Sequence, residues 1–331
     1  MEYMKKNHWT TLIFAALLAA SLPMTLSGCV RRGVVSETAR PAESTVQADP
    51  HGPADDPAEA EVRAERQNGE RFEGVVVIEG MEETVRYEHV RNDSVGFEMD
   101  YDYEKFERLG GPDRECFVSR YDDAGSPENY LEVRYSPLDA GAAAAAVSEV
   151  LSHDYDINRE DSFRLDRAGS CIRIDASAEK GGLTMPERLQ MVYIIPASDG
   201  CRIATAHYFI EGAEGFGRRF HSFMDSFSVA ESQGEKRLSE EQALAAAKRY
   251  IHLNDPDLDS IASAGEHGAY WDVSSSEGSP IVVLFRSYTG ALTRFYMDPV
   301  SGDTYVTEFV PGITPEEVRK DEGINAWKYL F

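Results

Sequence analysis

Cysteine thiols, histidine imidazoles, serine hydroxyls and paired carboxylates are the groups in this chain whose placement decides what chemistry is open to it. The cysteines stand at positions 29, 116, 171 and 201, and no pair has the close spacing of a redox or zinc motif. In an oxidising compartment thiols pair. Cys171 and Cys201 each begin a strand of the same expected sheet and are the favoured disulfide, with Cys116 buried and free; a wholly reduced set is the alternative. The eight histidines are scattered, without His-Glu-x-x-His and without a pair at i, i+4, so no helix face grips a metal through them. His207 falls in an apolar strand and reads as a hydrogen-bonded sheet residue. Neither a Gly-x-Ser-x-Gly elbow nor a P-loop or Rossmann glycine pattern occurs, which argues against the commonest hydrolases and nucleotide enzymes. Carboxylates for glycoside cleavage are plentiful, and only geometry selects a pair.

Two further constellations stand out. Asp255, Asp257, Asp259, Ser263 and Glu266 fall at positions one, three, five, nine and twelve of a calcium loop, where hard oxygens suit a hard cation. Pro256 at the second position and Ser260 in place of the sixth-position glycine count against it, and the stretch reads as a solvated turn closing the helix that ends near Leu253. Tyr270, Trp271, Phe285, Tyr288, Phe295, Tyr296, Tyr305 and Phe309 suggest an aromatic platform for a carbohydrate or peptide. Strand alternation puts Tyr270 and Trp271 on opposite faces, so about half of these rings belong to a core.

The elements that must hold these residues follow from composition and periodicity. A chain of 331 residues corresponds to roughly two domains. Hydrophobic content of 42% and aromatic content of 10% belong to a globular chain and exclude a disordered, collagen-like or polytopic membrane protein. The net charge of −25 repels phosphate backbones and excludes nucleic acid as a partner.

Lys5 and Lys6 precede an apolar run from Thr11 to Leu26, the n-region and h-region of a secretory signal and too short for a comfortable bilayer span. The run ends in Leu26-Ser27-Gly28-Cys29, which resembles the lipobox of bacterial lipoproteins. That resemblance implies cleavage before Cys29, diacylation of its sulfur, and anchoring on the extracytoplasmic face of the cell membrane. Loss of residues 1–28 would leave a charge of about −26, so no attraction to anionic lipid helps; the acyl chains, at about 0.8 kcal/mol per buried CH₂, would hold the protein alone. From Val30 to about Asn68 the sequence is rich in Ala, Pro, Glu, Asp, Ser and Thr and lacks apolar periodicity. It reads as an acidic tether, 29–70, spanning roughly 35 Å as a flexible coil.

Residues 71–230 alternate apolar and polar side chains in short blocks, as in Val85-Arg86-Tyr87-Glu88-His89-Val90 and Tyr130-Leu131-Glu132-Val133-Arg134-Tyr135, the period of half-buried antiparallel strands. A helix is predicted over 139–152, capped by Asp139 and driven by the alanine run 142–146. Strands resume at 170–176, 189–195 and 202–210, the last two joined through Ala197-Ser198-Asp199-Gly200. A closing helix over 214–227 aligns Phe216, Phe220, Phe223 and Phe227 in one stripe. The predicted class is α+β, an antiparallel sheet with packed helices. The phrases Gly96-Phe97-Glu98-Met99-Asp100-Tyr101 and Gly215-Phe216-Gly217-Arg218-Arg219-Phe220 in that order of elements resemble lipoprotein domains of PsbP/Mog1-like fold from anaerobic Gram-positive bacteria. The resemblance covers about half of the chain and implies a binding or assembly role.

Residues 238–331 open with the capping box Ser239-Glu240-Glu241-Gln242, followed by a helix to about Leu253 and strands at 270–274, 280–288, 291–297 and 304–309. The stretch from Leu284 to Asp303, with its Asp-Pro-x-Ser-Gly-Asp turn, resembles PepSY-like domains of secreted bacterial proteins, which implies a smaller noncatalytic helix-and-meander α+β module. The expected function is therefore a noncatalytic, membrane-anchored surface lipoprotein that binds a protein or cell-wall partner, with no cofactor. The alternative is an extracellular envelope-modifying hydrolase with paired carboxylates. A cleft holding two close acidic groups would favour the enzyme, and an open binding surface without them the binder.

Overall fold

A computed structural model describes residues 66–331 apart from 79, 112, 124–125, 178–187, 235, 256–268 and 321–322. Cys29, the signal segment and residues 30–65 of the tether lie outside the described residues, as do Asp257, Asp259 and Glu266 of the calcium-loop reading.

The alternating blocks form antiparallel strands that divide into two sheets. β1 (Arg71–Ile78), β2 (Met81–Asn92), β3 (Phe97–Asp102) and the short β11 (Ser228–Val229) make a four-stranded sheet in the order β1-β2-β3-β11. β3 is paired on both edges, by β2 and β11, so the next strand must start a new sheet. That second sheet has seven strands: β4 (Phe106–Gly110), β5 (Arg114–Ser119), β6 (Tyr130–Ser136), β10 (Gly200–Phe209), β9 (Arg188–Ala197), β8 (Gly169–Ser177) and β7 (Asp156–Leu165), in that spatial order. The division into two sheets lies beyond what alternation specifies, because period two gives the face of each side chain and says nothing of which strand is its neighbour.

One core fills the space between these sheets and includes Phe97, Met99, Phe106, Phe117, Leu131, Val133, Tyr193 and Ala204. α2 (Arg218–Asp225), entered through a π-helical turn over Ala213–Gly217, adds Phe220 and Phe223, and Phe227 follows from just past its end. The phenylalanine stripe is thus inside: the Phe106 ring lies 5.3 Å from Phe220 and 5.2 Å from Phe223. On the other face of the seven-stranded sheet, α1 (Ala140–Leu151) covers Ile174, Val192, Ile194, Cys201 and Ile203. Its N-terminus is closed by Asp139 Oδ1, which accepts from the Ala142 N–H at 2.9 Å.

The turn between β9 and β10 places Gly200 at φ +130°, and a Cβ there would collide with Ser136 and Pro137. Beside it Arg202 is fully buried, with Nη1 and Nη2 donating to the two oxygens of Asp199 at 2.9 and 3.1 Å and Nε to the Gly96 carbonyl at 3.0 Å. This fork ties the two sheets together where their turns meet.

α3 (Glu240–Asn254) begins with the expected capping box: Gln242 N–H donates to Ser239 Oγ and Ser239 N–H to Gln242 Oε1. It packs on one face of a six-stranded sheet whose path is β12 (Tyr270–Ser274), β13 (Ile281–Arg286), β14 (Leu292–Met297), β15 (Asp303–Phe309) and β16 (Val318–Arg319), with β17 (Ile324–Asn325) also against β15. A 3₁₀ turn, Ala326–Tyr329, brings Trp327 into that core. The architecture is α+β and mostly antiparallel. Among the described residues, no helix is long and apolar enough to cross a membrane.

The favoured disulfide does not form. Cys116, Cys171 and Cys201 are all free thiols. β9 separates the strands of Cys171 and Cys201, which puts them about 10 Å apart at two strand spacings, beyond the Cα separation that a disulfide spans. Their side chains also leave the sheet on opposite faces, Cys171 into the core between the sheets and Cys201 under α1. Membership of one sheet was the right premise; strand order and parity forbid the bond.

Candidate functional site

Alternation along β6 sends Leu131 and Val133 into the core and turns Tyr130, Glu132 and Arg134 to the outer face of the seven-stranded sheet. The pairing of β10 sets His207 opposite Tyr130 and Thr205 opposite Glu132. α1 covers only part of this face. The uncovered part is the floor of a cleft of about 470 Å³, walled by Val147, Val150 and Leu151 of α1, by Ala245 and Arg249 of α3, and by Tyr329, Leu330 and Phe331. Sequence-distant elements therefore meet around it, and two polar bridges join them: Arg114 Nη2 donates to Glu241 Oε1 at 3.2 Å, and His252 Nε2 lies 3.7 Å from Asp154 Oδ2.

The floor is built of rings and charges. His207 and Tyr130 stack with centroids 4.3 Å apart and planes 20° from parallel. Glu132 accepts from two arginines, from Arg134 through both Nε and Nη2 and from Arg114 Nη1 at 3.4 Å. Arg188, at the start of β9, reaches Glu128 at 3.6 Å. Four arginines (114, 134, 188 and 249) and three carboxylates (Glu128, Glu132 and Asp154) line the cleft, although acidic residues outnumber Lys and Arg in the whole chain by 58 to 33. Arg114 also reaches Glu241, so Arg114, Arg134 and Arg188 each have a carboxylate partner in or beside the cleft.

Burial brings His207 down to about 4, and Arg188, Arg134 and Arg249 press the same way against the pull of Glu132. Burial, with the Glu132 charge, pushes the Tyr130 phenol and the Cys116 thiol up to about 12. At neutral pH the cleft thus presents a neutral imidazole and a phenol among guanidiniums and carboxylates, with the protonated Cys116 thiol on the neighbouring strand opposite Glu132. Such a set supplies neither a thiolate nucleophile nor an imidazolium acid.

The other singled-out residues go elsewhere. Asp255 ends α3, its N–H bonded to the Ile251 carbonyl. Among the described residues no group of three or more His, Cys, Asp or Glu could hold a metal. Of the aromatic set, Phe285 and Phe295 are buried on the α3 side, and Trp271 packs there with its ring 4.6 Å from Phe285. Tyr270, Tyr296, Tyr305 and Phe309 occupy the opposite face, where Tyr296 and Tyr305 stack at 4.6 Å and Arg319 covers Tyr305 at 4.4 Å. Tyr288 is exposed in the turn after β13. The buried carboxylates Asp100 and Asp102 both have partners: Asp100 contacts His89 Nδ1 at 2.7 Å and the Arg66 guanidinium at 2.9 Å, and Asp102 contacts the Arg219 guanidinium at 3.2 Å.

Tyr130, Glu132 and Arg134 match no catalytic or metal motif, although their i, i+2, i+4 spacing on one strand already places them on one face. Arg188 and Arg249 carried no local signal, since each arrives from a different element.

No protein-family model matches this chain, and no curated protein matches its sequence. Solved structures with some likeness include a protein from Bacteroides thetaiotaomicron, at 10% identity over 79% of this chain and 91% of that one with a TM-score of 0.29. They also include the cyanobacterial PsbP (CyanoP) of Synechocystis, a PsbP-like fold, at 11% identity over 43% of this chain and 92% of that one, also with a TM-score of 0.29.

Proposed function

We propose that this protein is a noncatalytic binding lipoprotein, anchored by acyl chains on Cys29 to the extracytoplasmic face of a bacterial membrane and holding its folded part off the bilayer on an acidic tether. In this reading residues 71–230 are a PsbP/Mog1-like module and residues 238–331 a PepSY-like module, and the partner is a protein or a component of the cell envelope. Support for the anchor comes from Leu26-Ser27-Gly28-Cys29 after a basic n-region and a short apolar run. Support for the modules comes from the quoted sequence phrases and the order of elements.

The observation that carries the binding role is the cleft beside α1, about 470 Å³ in volume, within the range of small-ligand sites. Its groups are suited to holding a ligand and ill suited to proton transfer or nucleophilic attack at neutral pH.

The test is chemical crosslinking on intact cells followed by capture through an affinity tag inserted in the tether, because Phe331 lines the cleft and a carboxy-terminal tag would intrude on it. One stoichiometric envelope partner is expected with the wild type and is expected to be lost with Ala245→Trp, which fills the cleft from an exposed position of α3. Recovery of the same partner from the filled variant, or turnover of a wall glycan by the purified protein, refutes the proposal.

A further inference from the structure

An edge strand of a sheet lacks a neighbour on one side, and such edges are ordinarily kept from pairing by shortness, charge or a bulge. Among the described residues the sheets end at β1 and β11, at β4 and β7, and at β12 and β16. β11 and β16 have two residues each, and β4 and β12 five. β7 is long, but it exposes Asp156, Arg159, Glu160, Asp161 and Arg164, and its register shifts between Glu160 and Phe163. β1 has none of these devices. Its eight residues pair with β2 in unbroken register from Arg71↔Glu88 to Ile78↔Met81, and Gly74-Val75-Val76-Val77-Ile78 carries no charge. Val76 is buried in the core, while Val75 and Val77 on the opposite face are 63% and 45% exposed. Arg218 Nε donates to the Val77 carbonyl at 3.2 Å, which marks that carbonyl as turned away from β2; by the alternation of an antiparallel ladder the backbone groups of Val75 and Glu73 turn the same way. Arg218 is exposed, and its contact leaves the second lone pair of that oxygen to an incoming strand.

We propose that β1 is the surface through which two copies of this chain associate, pairing antiparallel about a two-fold axis through Val75 so that two four-stranded sheets run on as one. What selects a second copy is the match of β1 with its own reverse. About that axis Val75, the most exposed valine of the strand, meets Val75 of the second copy, Glu73 meets Val77, Gly74 meets Val76 and Phe72 meets Ile78. No like charges are set opposite one another, which would oppose pairing, and the outward groups of Glu73, Val75 and Val77 exchange about six backbone hydrogen bonds with the second copy. The strand shares no residue with the cleft, so this association and the partner reading stand or fall separately.

Sedimentation equilibrium and cysteine pairing of the full chain in detergent test it. The wild type is expected at twice the protomer mass, and Val75→Lys, which places a charge on the edge at an exposed position, at the protomer mass. Val75→Cys is expected to give a disulfide-linked dimer on mild oxidation, because directly opposite residues lie within the Cα separation that a disulfide spans. Val77→Cys is expected to give none, because the two copies of residue 77 would lie about 13 Å apart along the strands, and adding Glu73→Cys to it is expected to restore the link. The wild type, with Cys171 and Cys201 buried, controls for the native thiols. A wild type at the protomer mass, a dimer that persists in Val75→Lys, linkage of Val77→Cys as efficient as that of Val75→Cys, or a link from position 75 on intact cells to a different protein and none to a second copy overturns the inference.

Discussion

Replacing His207 by phenylalanine removes one proton site from the floor of the cleft and keeps a ring against Tyr130, 4.3 Å away in the native stack. His207 titrates at about 4 against an ordinary 6.5, because burial disfavours its charged form and Arg188, Arg134 and Arg249 add to that. In the unfolded chain the imidazole is hydrated and returns to its ordinary value. The unfolded state therefore binds more protons between these two values, so native stability falls as the pH drops through that window and is unaffected by His207 above it. Integration over the window gives a loss of about 2 kcal/mol between pH 7 and pH 5, and about 3 kcal/mol by pH 4. Other groups titrate over the same range in both proteins and cancel in the difference. Urea unfolding of wild type and His207→Phe at pH 7, 6, 5 and 4, followed by circular dichroism, should show the wild type losing that much more stability than the variant, with any packing cost of the larger ring constant across pH. Parallel pH dependences, or a His207 resonance that titrates near 6.5 by NMR, would show that the imidazole is hydrated and that the cleft floor is not arranged as described.

Arg202→Ala should cost about 3 kcal/mol in urea unfolding, the low end for a broken buried pair because Asp199 retains some hydration; a loss below about 1 kcal/mol would mean that the fork to Asp199 and Gly96 adds little to joining the sheets. Gly302→Ala should cost about 1–3 kcal/mol and shift the emission of Trp327, since Gly302 sits at φ +74° and a Cβ there would enter the indole ring; unchanged stability would contradict that close approach. Thiol counting in denaturant should find Cys116, Cys171 and Cys201 all reactive without prior reduction; a fourth thiol would show Cys29 bare and refute the anchor, and a count lowered by two until reductant is added would refute the separation of Cys171 from Cys201.

Much of the fold was legible before any coordinates because it depends on local physics. Asp139 and Ser239 announce their helices through side chains that satisfy nearby amides, an interaction complete within four residues. The alternation in Tyr130-Leu131-Glu132-Val133-Arg134 states which residues share a face, because successive side chains on a strand must point to opposite sides. The phenylalanines of 216–227 declare a buried face by spacing alone, and they are found in the core. The aromatic set divided between two faces of the last sheet for the same reason.

Strand order and the meeting of distant elements were decided only in three dimensions. Cys171 and Cys201 looked bondable in one sheet, and the insertion of β9 between their strands, with opposite parity, made the bond impossible. The cleft depends on Arg188, Arg249 and the segment 329–331 arriving beside Glu132 and His207 from separate parts of the chain. His207 itself shows the difference: its sequence neighbours identify an apolar strand, while its depressed pKa comes from burial beside arginines of β6, β9 and α3. The amino-acid order determines faces, caps and turns because those interactions span a few residues. Which faces then meet, and what charge they enclose, is settled by packing between residues that the chain keeps far apart.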